Sequence, residues 1–488
     1  MKKIIFFIIA LTAMTGCSGV KNLTPADSKM PEAYMPGLES DSACVADMAW
    51  WNFYTDSTLC HLIRLTLDNN RDLLKAAARV EEARQLYGIA KANMLPEVTG
   101  LAGANYETNK YNSGPTTKDP EYDLKLTVNW EVNLWGSLSW AKKSGAARFA
   151  ATVDDLHAMR MTLIADVASA YFRLVALDNE LAIVRQTLAT REESLEQARI
   201  RFEGGLTSET VYQQAKVEYA SAASLIPNIE GQITEARNAI TLLMGEYPRE
   251  ILERGQLALN ITLPESLPAG LPSTLLERRP DLRAAERRLA AAMADVGVNY
   301  ANRFPNLRLA FTPGFENDAL SKFFESPFTY SIGTITGSIF DFGRKKRKYQ
   351  ASIAVYDQAR YDYEKAVITA FTEVNSAMST YKRVKETSRL KVELRDATVK
   401  YVQLAHLQYR AGTLNYIDVL DAQRRYFDAQ IGVSNALRDE YLAIINLYKV
   451  LGGGWTTDDG RTSAERPGGL QGPDGPGWNF PGYAVRSG

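Results

Sequence analysis

The chain has 488 residues, a formal net charge of −1 and 45% hydrophobic residues. The near-neutral balance gives no electrostatic footprint for nucleic acid, and the ordinary hydrophobic share excludes a polytopic helical membrane protein. Three histidines, His61, His157 and His406, are too few and too scattered for a histidine-based metal or catalytic site.

At the N-terminus, Lys2 and Lys3 precede an apolar run from Ile4 to Ala13. That run is too short to span a bilayer as a helix and reads as the core of a signal peptide over residues 1–16. Residues 17–58 carry Pro25, Pro31 and Pro36 without long periodicity, which predicts a mostly extended segment. Cys44 and Cys60 would lie in an oxidising compartment, where a disulfide and two free thiols both remain open.

Helical periodicity runs from Leu59 to Asn93 through Leu62, Leu65, Leu73, Ala77, Val80 and Ala83, and Pro96 ends it. Tyr122 to Val132 alternates without a break. Tyr122, Leu124, Leu126, Val128, Trp130 and Val132 share one face, with Asp123, Lys125, Thr127, Asn129 and Glu131 opposite. A strand of about 11 residues suits a tilted crossing of a bilayer. Val98 to Glu107 is its partner across loop 108–121. From Trp140 to about Glu203 there is no proline, and the length at 1.5 Å per residue is about 96 Å. A return helix, about 208–246, holds Pro227, which predicts a kink. Pro248, Pro264, Pro268 and Pro272 mark a linker over 248–272.

The plan then repeats. At an offset of 207 residues Gly205 falls on Gly412 and Gly245 on Gly452. Val167, Ser169 and Ala170 fall on Val374, Ser376 and Ala377, and Leu134-Trp-Gly136 falls on Asp341-Phe-Gly343. With an offset of 209, Asn93-Met-Leu-Pro96 falls on Asn302-Arg-Phe-Pro305. The protein is read as a tandem duplication of a helix–β-hairpin–helix unit, 59–247 and 273–454, with hairpins at about 97–132 and 307–340. Phe328 to Phe340, the last strand, slips phase near Thr334, which predicts a bulge. The Gly/Pro-rich tail, 455–488, has no periodicity and is expected to be poorly ordered. End-to-end stacking of the shorter helices would match the long ones.

In each repeat a long helix ends at a glycine, Gly205 or Gly412, and the next begins within a few residues. Asn415 suits the N-cap of the second return helix, where its side chain can accept from free backbone N–H groups. Asp418 and Asp421 lie three residues apart on one helix face. Four strands cannot close a barrel, and open sheet edges are not tolerated in lipid, so a membrane-inserted sheet requires oligomerisation. No Gly-x4-Gly-Lys-Ser/Thr phosphate loop is present, and Asp341-Phe-Gly343 has no catalytic-loop companion, so an enzyme is not indicated.

The sequence resembles the TolC-type outer-membrane efflux proteins, within them the lipoprotein branch serving resistance-nodulation-division pumps. The resemblance rests on four features. They are Met14-Thr-Gly-Cys17, which resembles a bacterial lipobox; the duplicated plan; Phe340-Asp-Phe-Gly-Arg344; and Tyr409-x-x-Gly-Thr-x-x-x-x-Asp-Val-Leu-Asp-Ala-Gln423. It covers about residues 17–454. It implies a mainly α protein with a transmembrane β-barrel: a homotrimer of twelve strands, four per chain, continued by a periplasmic α-helical barrel. It implies a passive duct, a lipid on Cys17 at the outer membrane, and no other cofactor or metal. Its partners would be a periplasmic adaptor and an inner-membrane pump. Asp418, Asp421 and Tyr409 then resemble gate residues of the periplasmic mouth, with Asp418 and Asp421 forming two stacked acidic rings. Gly205, Leu206, Gly412, Thr413 and Leu414 resemble tips presented to the adaptor. Leu414 and Val211 stand where the best-known members carry Arg and Asp, so closure by Leu414 or its neighbours is the substitute considered. The rival readings are a duct for a type I secretion exporter and a lipid-anchored periplasmic coiled-coil scaffold.

Overall fold

The computed structural model describes residues 23–27, 31, 34, 44–110, 114, 116–251 and 272–455. Cys17, the signal peptide, most of the 248–272 linker and residues 456–488 of the tail lie outside the described residues. Seven long helices and four strands follow in the order α1 (Ser57–Asn69), α2 (Arg71–Ala92), β1 (Glu97–Asn109), β2 (Thr117–Val132), α3 (Ser137–Glu203), α4 (Glu209–Leu243), α5 (Pro280–Ala301), β3 (Asn306–Asn317), β4 (Pro327–Thr336), α6 (Arg344–Arg410) and α7 (Tyr416–Val450). Short helical turns, among them Val45–Asp47 and Trp50–Phe53, interrupt the segment expected to be extended.

The duplication appears in the bounds themselves. An offset of 209 carries α2 onto α5, 22 residues each. An offset of 207 carries α3 onto α6, 67 residues each, and α4 onto α7, 35 residues each. The paired glycines Gly136 and Gly343, Gly205 and Gly412, and Gly245 and Gly452 all sit at positive φ.

Two compact units are distinguished: Met1–Met30, Lys75–Leu156 and Pro280–Ala370 in one; Pro31–Leu74, His157–Arg279 and Phe371–Gly488 in the other. The first holds the sheet. Its order is β1-β2-β3-β4, antiparallel throughout, so the two repeats join through β2 and β3. Leu124, Leu126, Trp130, Leu309 and Phe311 are exposed on one face. The opposite face carries Lys125 between Asp123 (3.5 Å) and Glu316 (3.2 Å), and Thr127 bonded to Thr312 (3.1 Å). An apolar face open to the surroundings and a polar face opposite is the pattern of an outer-membrane barrel wall. β2 begins at Thr117, five residues before the alternation from Tyr122 suggested. β4 ends at Thr336, and its register against β3 runs unbroken from Asn306↔Thr336 to Phe315↔Pro327, so the bulge expected near Thr334 is absent.

The second unit is built on apolar side chains from α1, α3, α4 and α7. Trp50, Leu59, Ile63, Tyr171, Ile240 and Tyr448 are among its buried residues. Asp56 caps α1 by accepting from Leu59 N (3.0 Å) and also accepts from the Tyr171 hydroxyl (2.7 Å). Cys44 and Cys60 are buried thiols that form no disulfide among the described residues, and burial pushes both up from the ordinary thiol range.

The single helix expected over 59–93 is two. Asn70 breaks it, and the reason is a double cap. Its Oδ1 accepts from Leu73 N (2.9 Å) at the start of α2, while its Nδ2 donates to Leu243 O (2.7 Å) at the end of α4. In the second repeat Arg279 supplies the donor half alone, donating to Val450 O (3.2 Å) at the end of α7. These bonds tie the C-terminal ends of the return helices to Asn70 and Arg279, the residues just before α2 and α5. α4 runs through Pro227 as one helix.

Candidate functional site

The predicted site residues meet at the two turns where α3 passes to α4 and α6 passes to α7. Both turns close identically. Leu206 N donates to Arg201 O (2.8 Å) and Gly205 N to Phe202 O (2.9 Å). Thr413 N donates to Gln408 O and Gly412 N to Tyr409 O, both at 3.0 Å. This pair of bonds is a Schellman motif, which needs a left-handed residue after the helix. Gly205 (φ 71) and Gly412 (φ 76) supply it without steric cost. Asn415 is the N-cap of α7, but its side chain makes no cap hydrogen bond, contrary to expectation. The α7 N-terminus is held by a backbone bond, Asp418 N to Asn415 O (3.2 Å).

The turn residues are presented unequally. Leu206 is 74% exposed. Leu414 is half-buried and packs with Tyr409 and Tyr416 on a small core of Ala405, Val419 and Ala422. Leu414 is thus used inside its own hairpin, which weakens its case as the closing residue.

Asp418 and Asp421 are both half-buried, in the first turns of α7. Their surroundings differ. Asp421 Oδ1 accepts from Arg424 Nη2 and its Oδ2 from Arg425 Nε, both at 2.7 Å. These bonds, Arg425 first, hold its carboxyl below the usual carboxylate range. Among the described residues Asp418 has no ion-pair partner. The two aspartates are therefore not equivalent acidic groups: one is a bare carboxylate and the other the centre of an Asp–Arg–Arg cluster.

Tyr409 accepts a hydrogen bond from Arg201 Nη1 (2.9 Å), joining the end of α3 to the end of α6. Sequence reasoning missed Arg201, Arg424 and Arg425. The last two were visible as cations three and four residues after Asp421 on one helix. Arg201 carried no such local signal. His406, bonded to Gln423 (3.1 Å), is pushed down from its ordinary value by burial and by the neighbouring Arg410. Among the described residues no group of His, Cys, Asp or Glu could hold a metal ion, and no helix is long and apolar enough to cross a membrane.

Known proteins match the chain over most of its length. The outer membrane efflux protein family matches residues 62–246 and 271–453. A probable outer membrane lipoprotein of Salmonella typhimurium, SilC, is 30% identical over 92% of this chain and 98% of its own length. The toluene efflux pump outer membrane protein TtgF of Pseudomonas putida is also 30% identical, over 92% of this chain and 97% of its own. Among solved structures the outer-membrane channel OprN superposes with a TM-score of 0.79 at 30% identity, covering 88% of this chain and 97% of that one. The chain belongs to the outer membrane efflux protein family and is an outer-membrane channel through which an efflux system discharges its cargo.

Proposed function

We propose that three copies of this chain close a twelve-stranded barrel in the outer membrane and serve as the passive exit duct of a tripartite pump. A periplasmic adaptor and an inner-membrane pump of the resistance-nodulation-division class deliver small toxic compounds to it. The observation that carries this reading is the sheet: four strands, an apolar face open to the surroundings, and β1 and β4 each paired on one side only among the described residues. Unpaired backbone groups at such edges cost several kcal/mol each in hydrocarbon, so the edges must meet those of other copies.

Cys17 is the acylated first residue of the mature chain in this reading. The Met14–Cys17 motif supports it, as does the lipoprotein name of the Salmonella relative. The turns at Gly205, Leu206, Gly412, Thr413 and Leu414 are the adaptor-facing tips, with exposed Leu206 as the apolar contact. Tyr409, Asp418 and Asp421 line the gate. Three bare Asp418 carboxylates form the acidic ring, while the charge of Asp421 is more than offset by its two arginines.

The test is the native mass of the detergent-extracted protein, with metabolic labelling by palmitate. Three chains per particle and label lost in Cys17→Ser are expected. A one-chain particle would overturn the duct, and unchanged label in Cys17→Ser would overturn the anchor.

A further inference from the structure

The first five residues of α6, Arg344-Lys-Lys-Arg-Lys348, form the longest unbroken run of like charge in a chain of net charge −1. Arg344, Lys346, Arg347 and Lys348 are exposed and Lys345 is half-buried. None of the five has an ion-pair partner among the described residues. The next acidic residue along the chain is Asp357. At 3.6 residues per turn, such a run rings the helix rather than lining one face.

The helix itself does not call for these charges. Cations are disfavoured in the first turn, where the free backbone N–H groups carry partial positive charge. Asp341 already serves those groups: its Oδ1 accepts from Gly343 N (3.0 Å) and its Oδ2 from Lys345 N (3.1 Å). The duplication supplies an internal control. α3 has the same length of 67 residues and follows its strand in the same way, yet it opens on Ser137, Leu138, Ser139, Trp140 and Ala141. A helix in this position is built without any charge, so the basic run serves something outside the helix.

The run lies where the sheet gives way to helices. Trp135 Nε1 donates to Pro305 O and Ser137 Oγ to Asn302 Oδ1, both at 2.6 Å, which ties the β2–α3 and α5–β3 junctions together. Gly337, just after β4, lies against the same Pro305, where an added Cβ would come within 2.9 Å. Arg303, stacked over Tyr349 (5.4 Å), adds a further cation at this level. Immediately before the run, Ile335, Ile339, Phe340 and Phe342 are exposed. Phe342 keeps its ring at φ 54, a conformation that glycine adopts without strain. Exposed aromatic rings beside exposed cations are the composition of a membrane–water boundary, where rings sit at headgroup depth and cations reach the phosphates.

The N-terminal segment points to the same depth. Thr24 O accepts from the Tyr356 hydroxyl (2.9 Å), and Asp27 N donates to Glu364 Oε1 (3.0 Å), so the chain leaves Tyr356 in the direction away from Arg344. Arg344 lies about 18 Å back along α6 from Tyr356. The seven residues from Thr24 back to Cys17 reach at most about 25 Å. An acylated Cys17 can therefore stand level with the basic run.

We infer that Arg344–Lys348, together with Arg303, bind the phosphates of anionic phospholipids in the periplasmic leaflet of the outer membrane. Lipid phosphates are the anions that a bilayer holds at this depth, and lysine and arginine answer them with point charges and two-pronged hydrogen bonds. The depth assigned to Cys17 rests on the acylation proposed above; the unpaired charge does not.

The test uses the full-length protein reconstituted in phosphatidylcholine vesicles carrying spin-labelled lipids. The wild type should prefer spin-labelled phosphatidylglycerol to spin-labelled phosphatidylcholine by about fivefold or more, and salt should weaken the preference. Lys346→Gln/Arg347→Gln/Lys348→Gln keeps the Asp341 cap and good helix formers, and should lower that ratio about threefold or more. Lys382→Gln/Arg383→Gln/Lys385→Gln, an equal loss of charge further along α6, should leave it unchanged. An unchanged ratio in the first variant, or an equal fall in both, overturns the site. A wild-type preference abolished by inorganic phosphate at constant ionic strength assigns the run to free phosphate and overturns the lipid reading. Cys17→Ser should keep the preference, so failure of the anchor reads separately from failure of this site.

Discussion

Asp418 and Asp421 are indistinguishable by residue type and spacing, and their neighbours separate them. Replacing Asp418 by Asn removes a bare negative charge, so the cation preference of the pore should fall, read as a shift in reversal potential under a salt gradient. Replacing Asp421 by Asn removes the same unit of charge but also releases Arg424 and Arg425 from the carboxylate that holds them, so the shift toward anions should be larger. An equal response to both substitutions would discard the distinction. Acid should act late on the cluster. The Asp421 carboxyl is depressed in the fold, so its stabilising contribution is present above the ordinary carboxylate range and is lost as pH falls through the depressed value. Acid lability from this exposed cluster is therefore expected only below about pH 4, and small in size. At the turns, Gly412→Ala meets no neighbour within 4 Å, so its cost is the backbone's alone. About 1–2 kcal/mol is expected, seen as a lower melting temperature. These glycines were legible because a left-handed helix end has few alternatives. Arg201 was not, because its partner Tyr409 lies in the other repeat and no local pattern ties them.

Among elements, the helix bounds were readable because the chain states them twice, and one copy checks the other. What escaped were ends set by contacts remote in sequence. Asn70 reads as one polar residue in a helical pattern, yet it stops α1, starts α2 and closes α4. Asn70→Ala should cost about 1–2 kcal/mol by orphaning the α2 N-terminus and the Leu243 carbonyl together. Asn70→Asp, which keeps the acceptor and loses the donor, should fall between Ala and wild type in thermal unfolding. A wild-type response from Asn70→Ala would remove the double-cap account. β4 shows the same limit from the other side. The alternation read in the sequence runs on to Phe340, whereas the strand stops at Thr336.

For the whole molecule, the membership in the efflux family, the four strands and their open edges converge on an oligomeric duct. The duplication carried most of that conclusion before any coordinate, since two β-hairpins between long helices fit few architectures. The asymmetry between the repeats was less legible. Arg148 pairs with Asp295, whereas the residues that the offsets of 207 and 209 place at their counterparts, Val355 and Leu86, are exposed and apolar. The most direct test is single-channel conductance of the purified protein in a planar bilayer, wild type beside Asp418→Ala/Asp421→Ala. Discrete, cation-preferring steps in the wild type, larger or less selective in the double variant, are the expected result. Well-folded three-chain particles that conduct in neither form would contradict a duct gated at the helix-hairpin tips.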